Sequence, residues 1–525
     1  MTDEQTSTGS SKLVLLGIGI LIAIYLVATC LNLPQQATAI IVAAGAEHSK
    51  VEQSTKETTE KAGEIEVNQP PPLWMVLPFV LMLGVIAIFP LLHGVSHWWE
   101  SNLHRFYIAA ALAAITLGYY VWIHKQPIEA HWPAHHVALH SESGPSYALT
   151  WNVFANAVLQ EYVPFIVLLF SLYVISGGIR ITGDLRAHSL TNAMFLLIGG
   201  VLASFIGTTG AAMLLIRPLL ETNSERKYVV HTVVFFIFVV CNCGGCLLPL
   251  GDPPLFLGYL LGVPFLYTIA LWKEWLFVNG LLIVIYYFWD RFWFYPHEEI
   301  SDIVRDETQV RPLKLSGIWP NALLLLGIVL SVAFLDPGKA IPGTDWHPWL
   351  YLREIVQLFL VALSLALGSQ ALREDNNFNY AAIIEVAALF FGIFITMQPA
   401  LQILAIRGPS LGLTEPWHFY WASGGLSSVL DNAPTYVVFF TTAQSLTGKL
   451  GLHHPVAGVS EPLLAAISLG SVFMGANTYI GNGPNFMVKA IAEKSGVKMP
   501  GFFGYMLYSG AILIPIFILT TFLFF

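Results

Sequence analysis

One stretch limits what this chain can fold into: Asn242-Cys243-Gly244-Gly245-Cys246-Leu247-Leu248-Pro249-Leu250-Gly251-Asp252-Pro253-Pro254. It lies inside an apolar segment, yet it cannot be continuous helix. Each proline removes a backbone donor and clashes one turn back. Broken backbone at membrane depth is tolerated only where it lines a cavity or is buried in protein. An ionisable residue at such a break marks a functional site by default. A related break, Gly475-Ala476-Asn477-Thr478-Tyr479-Ile480-Gly481-Asn482-Gly483-Pro484-Asn485, lies in the second half.

Composition agrees with a membrane setting. The chain is 55% hydrophobic and 11% charged, against roughly 25% charged in soluble domains. The reading is an all-α polytopic membrane protein. A net charge of −9 is spread through loops, and nothing points to nucleic acid. Four cysteines exclude a disulfide scaffold. Cys241, Cys243 and Cys246 read as small residues packing around the break, with a soft-metal site as the alternative.

Residues 1–72 are expected to hold an apolar helix (13–31), retained rather than cleaved, then a disordered polar linker (47–72). Residues 73–294 form a first transmembrane repeat, 295–316 a charged cytoplasmic linker, and 317–525 a second repeat. The loop 124–140 carries His124, His131, His135, His136 and His140. A solvated loop is expected there, with metal binding as the alternative. Residues 190–220 and 417–446 are each interrupted by a polar tip, which suits a re-entrant hairpin with two half-span arms.

The repeat is testable by register. A shift of 224 positions pairs Glu161 with Glu385, Ser204 with Ser428, and Gly207-Thr208 with Asp431-Asn432. After a small length change, Leu250-Gly251-Asp252-Pro253-Pro254 pairs with Ile480-Gly481-Asn482-Gly483-Pro484. Five crossings per half would invert the second half. The expected architecture is two inverted repeats, each with a re-entrant hairpin and a broken helix, with about eleven transmembrane helices in all. Lys/Arg bias, with Arg180, Arg186, Arg226, Arg291, Arg305 and Arg311 on one side, puts the N-terminus in the cytoplasm and the C-terminus outside. The expected location is a bacterial-type inner (plasma) membrane.

At these motifs the chain resembles the ion transporter superfamily. It is most similar there to D-type sodium/proton antiporters and the neighbouring citrate-transporter group. The resemblance rests on Gly207-Thr208-Thr209-Gly210-Ala211-Ala212 with Ile216-Arg217-Pro218, and on Pro249 to Pro254. Leu430-Asp431-Asn432-Ala433-Pro434-Thr435 and the Gly475–Asn485 break complete it. It spans residues 73–525 and implies a homodimer with a scaffold domain and an elevator-like transport domain holding both hairpins and both broken helices.

Sodium is a hard cation that takes oxygen ligands. The tips and breaks supply Thr208, Thr209, Asp252, Asp431, Asn432, Thr435, Asn477, Thr478, Asn482 and Asn485. Asp252, Asp431, Asn432 and Asn477 are the expected sodium ligands, helped by free carbonyls of the unwound backbone. A buried carboxylate holds a proton or sodium but not both, which is sufficient for antiport. Glu161, Glu385 and Arg217 are candidates for a proton or gating role, against snorkelling or capping. The leading function is sodium/proton antiport. The alternative is a sodium- or proton-coupled carboxylate (citrate-like) carrier, because half-helix N-termini can hold a carboxylate without arginine. An arsenite-type carrier is a distant third. No resident cofactor is expected. No nucleophile–base motif supports an enzyme.

Overall fold

The computed structural model describes residues 3–54, 69–92, 94–140, 144–308, 310–376, 378–450 and 455–525. The chain is mostly helical. Among the described residues, six helices are long and apolar enough to cross a membrane: Ser11–Cys30, Asn102–Trp122, Tyr147–Ser176, Ser189–Ile206, Tyr267–His297 and Phe502–Phe524. A bent pair over 381–411 brings the number to seven, and shorter apolar helices accompany them. Three short two-stranded ribbons qualify the all-α expectation.

The chain forms two compact units that interleave in sequence. One contains Met1–Ile175 with Pro320–Ile406; the other contains Ser176–Trp319 with Arg407–Phe525. Both polar tips and both breaks belong to the second unit.

In the first unit, helices Asn102–Trp122 and Ala381–Thr396 pack closely because small residues face each other. A Cβ on Gly392 would lie 2.8 Å from that of Ala109, the small-residue contact common between membrane helices. Phe165, Phe390 and Phe394 fill the neighbouring layer, with Phe165 stacked on Phe390 at 4.9 Å between ring centroids. The apolar run 381–406 is not continuous. It bends by 42° between Thr396 and Gln398, where Pro399 cannot donate to the preceding turn. The N-terminal helix Asp3–Cys30 is followed by Leu33–Ser54, so residues 47–54 are helical rather than linker. The rest of that expected linker, 55–68, lies outside the described residues. Tyr25 donates to the Leu350 carbonyl at 3.1 Å, and the Leu350 N–H donates to Thr38 at 2.9 Å.

In the second unit, helix Ser189–Ile206 ends where Gly207 adopts φ +81°, and Thr208–Thr222 leaves it. Only glycine reaches that conformation without strain. The incoming arm has 18 residues, longer than the half-span expected, because nothing breaks it before Gly207. The second pair is Pro416–Ser427 and Asn432–Leu450. The first broken helix runs Val230–Val239, a tight turn Cys243–Cys246, then Pro253–Leu260. The second runs Glu461–Met474, Gly475–Asn477, then Gly483–Lys494.

The segment expected to be a bare linker is folded onto this unit. Arg311–Ser316 pairs antiparallel with Arg180–Asp184. Asp306 accepts the Ala187 N–H at 2.9 Å, and Glu298 accepts the N–H groups of Lys227 and Tyr228. Its charges therefore satisfy backbone donors in the segments that lead into two helices.

The breaks depend on glycines at close approaches. A Cβ on Gly251 would lie 2.1 Å from the Gly245 carbonyl oxygen and 2.9 Å from Ser204 Cα, whereas one on Gly483 meets nothing within 4 Å. Gly251→Ala should therefore destabilise by about 1–3 kcal/mol or more, since backbone must move. Gly483→Ala should stay within about 0.5 kcal/mol of the parent. Thermal unfolding of the two purified variants checks this; equal midpoints would contradict the packing described.

Candidate functional site

Asp252 stands at the N-cap position of Pro253–Leu260, but its side chain makes no capping bond. The fold turns it inward, where it is 1% exposed. Its Oδ1 accepts Thr208 Oγ1 at 3.1 Å and Asn482 Nδ2 at 3.1 Å; its Oδ2 accepts Asn432 Nδ2 at 2.5 Å. The donors come from the first tip, the second break and the second tip. Four segments far apart in sequence thus meet on one carboxylate.

Asp431 behaves differently. Its Oδ1 accepts the Ala433 N–H at 3.1 Å, and Thr435 Oγ1 donates to the Asp431 carbonyl at 3.0 Å. It caps the start of Asn432–Leu450, as an aspartate commonly does. The two aspartates look alike in sequence, but one caps its own helix and the other gathers donors from elsewhere.

Four helices begin at this point: Thr208–Thr222, Pro253–Leu260, Asn432–Leu450 and Gly483–Lys494. Each N-terminus carries roughly half a positive charge. Together they offset about two negative charges, close to the formal charge of Asp252 and Asp431. No lysine or arginine supplies a bond to Asp252 among the described residues.

Many of the unwound carbonyls expected to be free are already hydrogen-bonded. Asn482 Nδ2 donates to Cys241 O, Asn279 Nδ2 to Cys243 O, Trp275 Nε1 and Ser204 Oγ to Gly244 O, and Thr268 Oγ1 to Leu247 O. In the second break, Asn485 Nδ2 donates to Gly475 O and Thr478 O, Tyr505 OH to Ala476 O, and Ser509 Oγ to Asn477 O. Buried backbone groups demand such partners, so the breaks are rigid polar structures. Hard-cation ligands remain on side chains: the amide oxygens of Asn432 and Asn477 are buried and have no partner.

The other expected site residues divide clearly. Asn485 accepts Asn242 Nδ2 at 2.7 Å and ties one break to the other. Thr478 Oγ1 donates to Ser428 O, and Asn477 Nδ2 donates to Ser428 Oγ. Thr435 braces the second tip, while Thr209 stays half-buried outside this bond set. Arg217 lies half-buried along Thr208–Thr222, more than two turns past the tip. Glu161 and Glu385 belong to the other compact unit, where Glu385 pairs with Arg105 at 2.8 Å. Asn242, Ser204 and the carbonyl of Cys241 were missed as site members. The matched register of Ser204 and Ser428 was the available signal: Ser204 Oγ donates to Gly244 O, and Ser428 Oγ to Met474 O.

Neither suggested metal centre gains support. No group of three or more His, Cys, Asp or Glu capable of holding a metal occurs among the described residues. The three cysteines of the first break are buried and free. In the His-rich segment, Ile128–Ala130 pairs with His136–Ala138 as a ribbon, and His124 bonds Tyr119 OH at 3.0 Å.

Asn482→Ala removes one donor from Asp252 and another from the Cys241 carbonyl. It should cost about 1.5–3 kcal/mol, the range for a bond to a charged group. Asp431→Asn keeps an acceptor at the cap and should stay within about 0.5 kcal/mol of the parent, while Asp431→Ala should lose about 1 kcal/mol. Thermal unfolding in detergent checks all three. A silent Asn482→Ala would show that the Asp252 cluster carries no stability.

No curated protein matches the chain. A family model described as "Putative citrate transport" matches residues 121–525, which include both tips, both breaks and Asp252. The chain belongs to that citrate-transport family and is an integral, multi-pass membrane transport protein.

Proposed function

We propose that this protein is a secondary active transporter in which a proton or a sodium ion at Asp252 is coupled to movement of a small carboxylate of the citrate class. The observation that carries the coupling is the Asp252 cluster: a buried carboxylate held, among the described residues, by the neutral donors Thr208, Asn432 and Asn482. Such a group can release a proton and receive a hard cation, with the Asn432 and Asn477 amide oxygens as further ligands. The family description favours a carboxylate as cargo. Charge balance makes the coupling physical. Four helix N-termini roughly offset the two aspartates. An arriving anion then needs a cation or proton to accompany it, while the same N-termini offer N–H groups to its carboxylates.

Parallel bonding supports the repeat reading. Ser204 receives the Leu247 N–H at 3.1 Å while donating to Gly244 O; Ser428 receives Asn477 Nδ2 at 2.9 Å while donating to Met474 O. Leu247 O and Asn477 O are each taken by a hydroxyl, from Thr268 and Ser509. The Ser204 and Ser428, Gly244 and Met474, and Leu247 and Asn477 pairs follow the registers expected for two related halves. Inversion of the second half and elevator motion of a homodimer remain part of the proposal. They draw on the gathering of both tips and both breaks in one compact unit.

A second reading, sodium/proton antiport without an organic anion, is favoured by the absence of a basic side chain in the Asp252 cluster. Proteoliposomes separate the two. A sodium or pH gradient is imposed, and labelled citrate uptake and internal pH are followed together. The main reading expects gradient-driven uptake, with proton or sodium flux that requires the carboxylate. Flux at full rate without any organic anion would favour antiport. In either case Asp252→Asn should lower coupled flux by more than about tenfold, equivalent to about 1.4 kcal/mol. Asp431→Asn should retain most of it. Near-normal coupling in Asp252→Asn would remove the site.

A further inference from the structure

The span Tyr147–Ser176 is not α-helical throughout. Ala155–Tyr162 winds as a π-helix of eight residues, and such windings occur mostly as single turns and frequently at functional sites. Glu161 lies in it, 8% exposed, with its Oε2 buried and without a partner. A charged carboxylate in this position has no compensation for lost hydration. Glu385, by contrast, has Arg105 beside it.

Asn156 sits five residues earlier, one i→i+5 turn from Glu161. Its Oδ1 accepts the His131 N–H at 2.7 Å, and its Nδ2 donates to the Glu129 carbonyl at 2.9 Å. The π-helical turns therefore end against the ribbon of the His-rich segment. There the His131 and His135 rings are 5.5 Å apart, and His135 Nε2 lies 3.9 Å from the Glu129 carboxylate. His135 and His136 are exposed. The Glu129 carboxylate beside it holds the His135 imidazole above its ordinary value, and the same ion pair lowers the Glu129 carboxyl. Histidine is the side chain that exchanges protons with solvent near neutral pH.

We propose that Glu161 is a proton-binding site separate from Asp252, loaded from solvent through the histidine ribbon at the end of the π-helical turns. Loading transfers one proton from a hydronium ion or a ribbon imidazolium to a Glu161 carboxylate oxygen. One O–H bond forms there, and the donor loses the bond that held the proton: an O–H of hydronium, leaving water, or an N–H of the imidazolium, leaving neutral imidazole. Release reverses the step. The titratable groups on the packed elements are Tyr147 on Tyr147–Phe154, Glu385 on Ala381–Thr396, and Tyr351, whose hydroxyl donates to the Leu159 carbonyl at 2.9 Å. Tyr162 donates to the Ala387 carbonyl, and Glu129, His131, His135 and His136 line the ribbon. Glu385 is occupied by Arg105, and Glu161 Oε2 has no partner.

Infrared difference spectra of the purified full chain, recorded between high and low pH, test this without reference to transport. With the Asp252 carboxyl removed in Asp252→Asn, a protonated-carboxyl C=O band that grows as pH falls should persist, and it should be lost in Asp252→Asn/Glu161→Gln. A pH-dependent band in Asp252→Asn that is unchanged on adding Glu161→Gln would overturn it. If Glu161→Gln does not fold, Glu161→Asp should keep the band at a shifted frequency, and an unshifted band would be equally fatal. After a pH jump, His131→Gln/His135→Gln should show the same final band appearing several-fold more slowly. An unchanged rate would overturn loading through the ribbon. Loss of the band in Asp252→Asn instead would assign the proton to the first site and end the claim of a second.

Discussion

The second compact unit depends on one interaction: the acceptance by Asp252 of hydrogen bonds from Thr208, Asn432 and Asn482. A carboxylate buried in a membrane protein is costly unless it is neutralised or fully hydrogen-bonded. Here four helix N-termini and three side-chain donors converge on it, and each donor belongs to a different tip or break. Removing the charge would remove the reason for two tips and two unwound helices to meet at one point.

The breaks themselves are costly only in isolation. Each lost helical bond exposes a carbonyl, and at membrane depth no bulk water replaces it. Side chains do so instead, among them Ser204, Trp275, Asn279, Asn482, Asn485, Tyr505 and Ser509. Gly245 and Gly251 in one break, and Gly475 and Gly481 in the other, allow backbone to touch backbone. The resulting site is stiff. Many of its unwound carbonyls are already taken by side chains, and the buried amide oxygens of Asn432 and Asn477 are without a partner.

Much of this was legible in the sequence because prolines and glycines in apolar runs leave few options. The two tips, the two breaks and the meeting of Asp252 with Asn432 and Asn482 follow from that punctuation. What the sequence hid were choices between near-equal local states. Asp431 and Asp252 both precede a helix with a proline close by, yet only Asp431 reaches its own backbone. The bend after Thr396 turns on a single Gln398-Pro399 step inside a run that otherwise looks continuous. The charged segment 295–316 resembled a tether. Its acidic residues instead accept backbone N–H groups just ahead of helices that are remote in sequence, and no periodic pattern announces such bonds.

The central claim is that a proton and a cation share Asp252. Proton release on sodium addition tests it most directly, measured in weakly buffered solution of purified protein across a pH series. The account predicts release of up to one proton per sodium bound at low pH, apparent sodium affinity falling up to tenfold for each unit of pH decrease there, and no coupled release in Asp252→Asn. Sodium binding without proton release at any pH, or release that persists in Asp252→Asn, would contradict it.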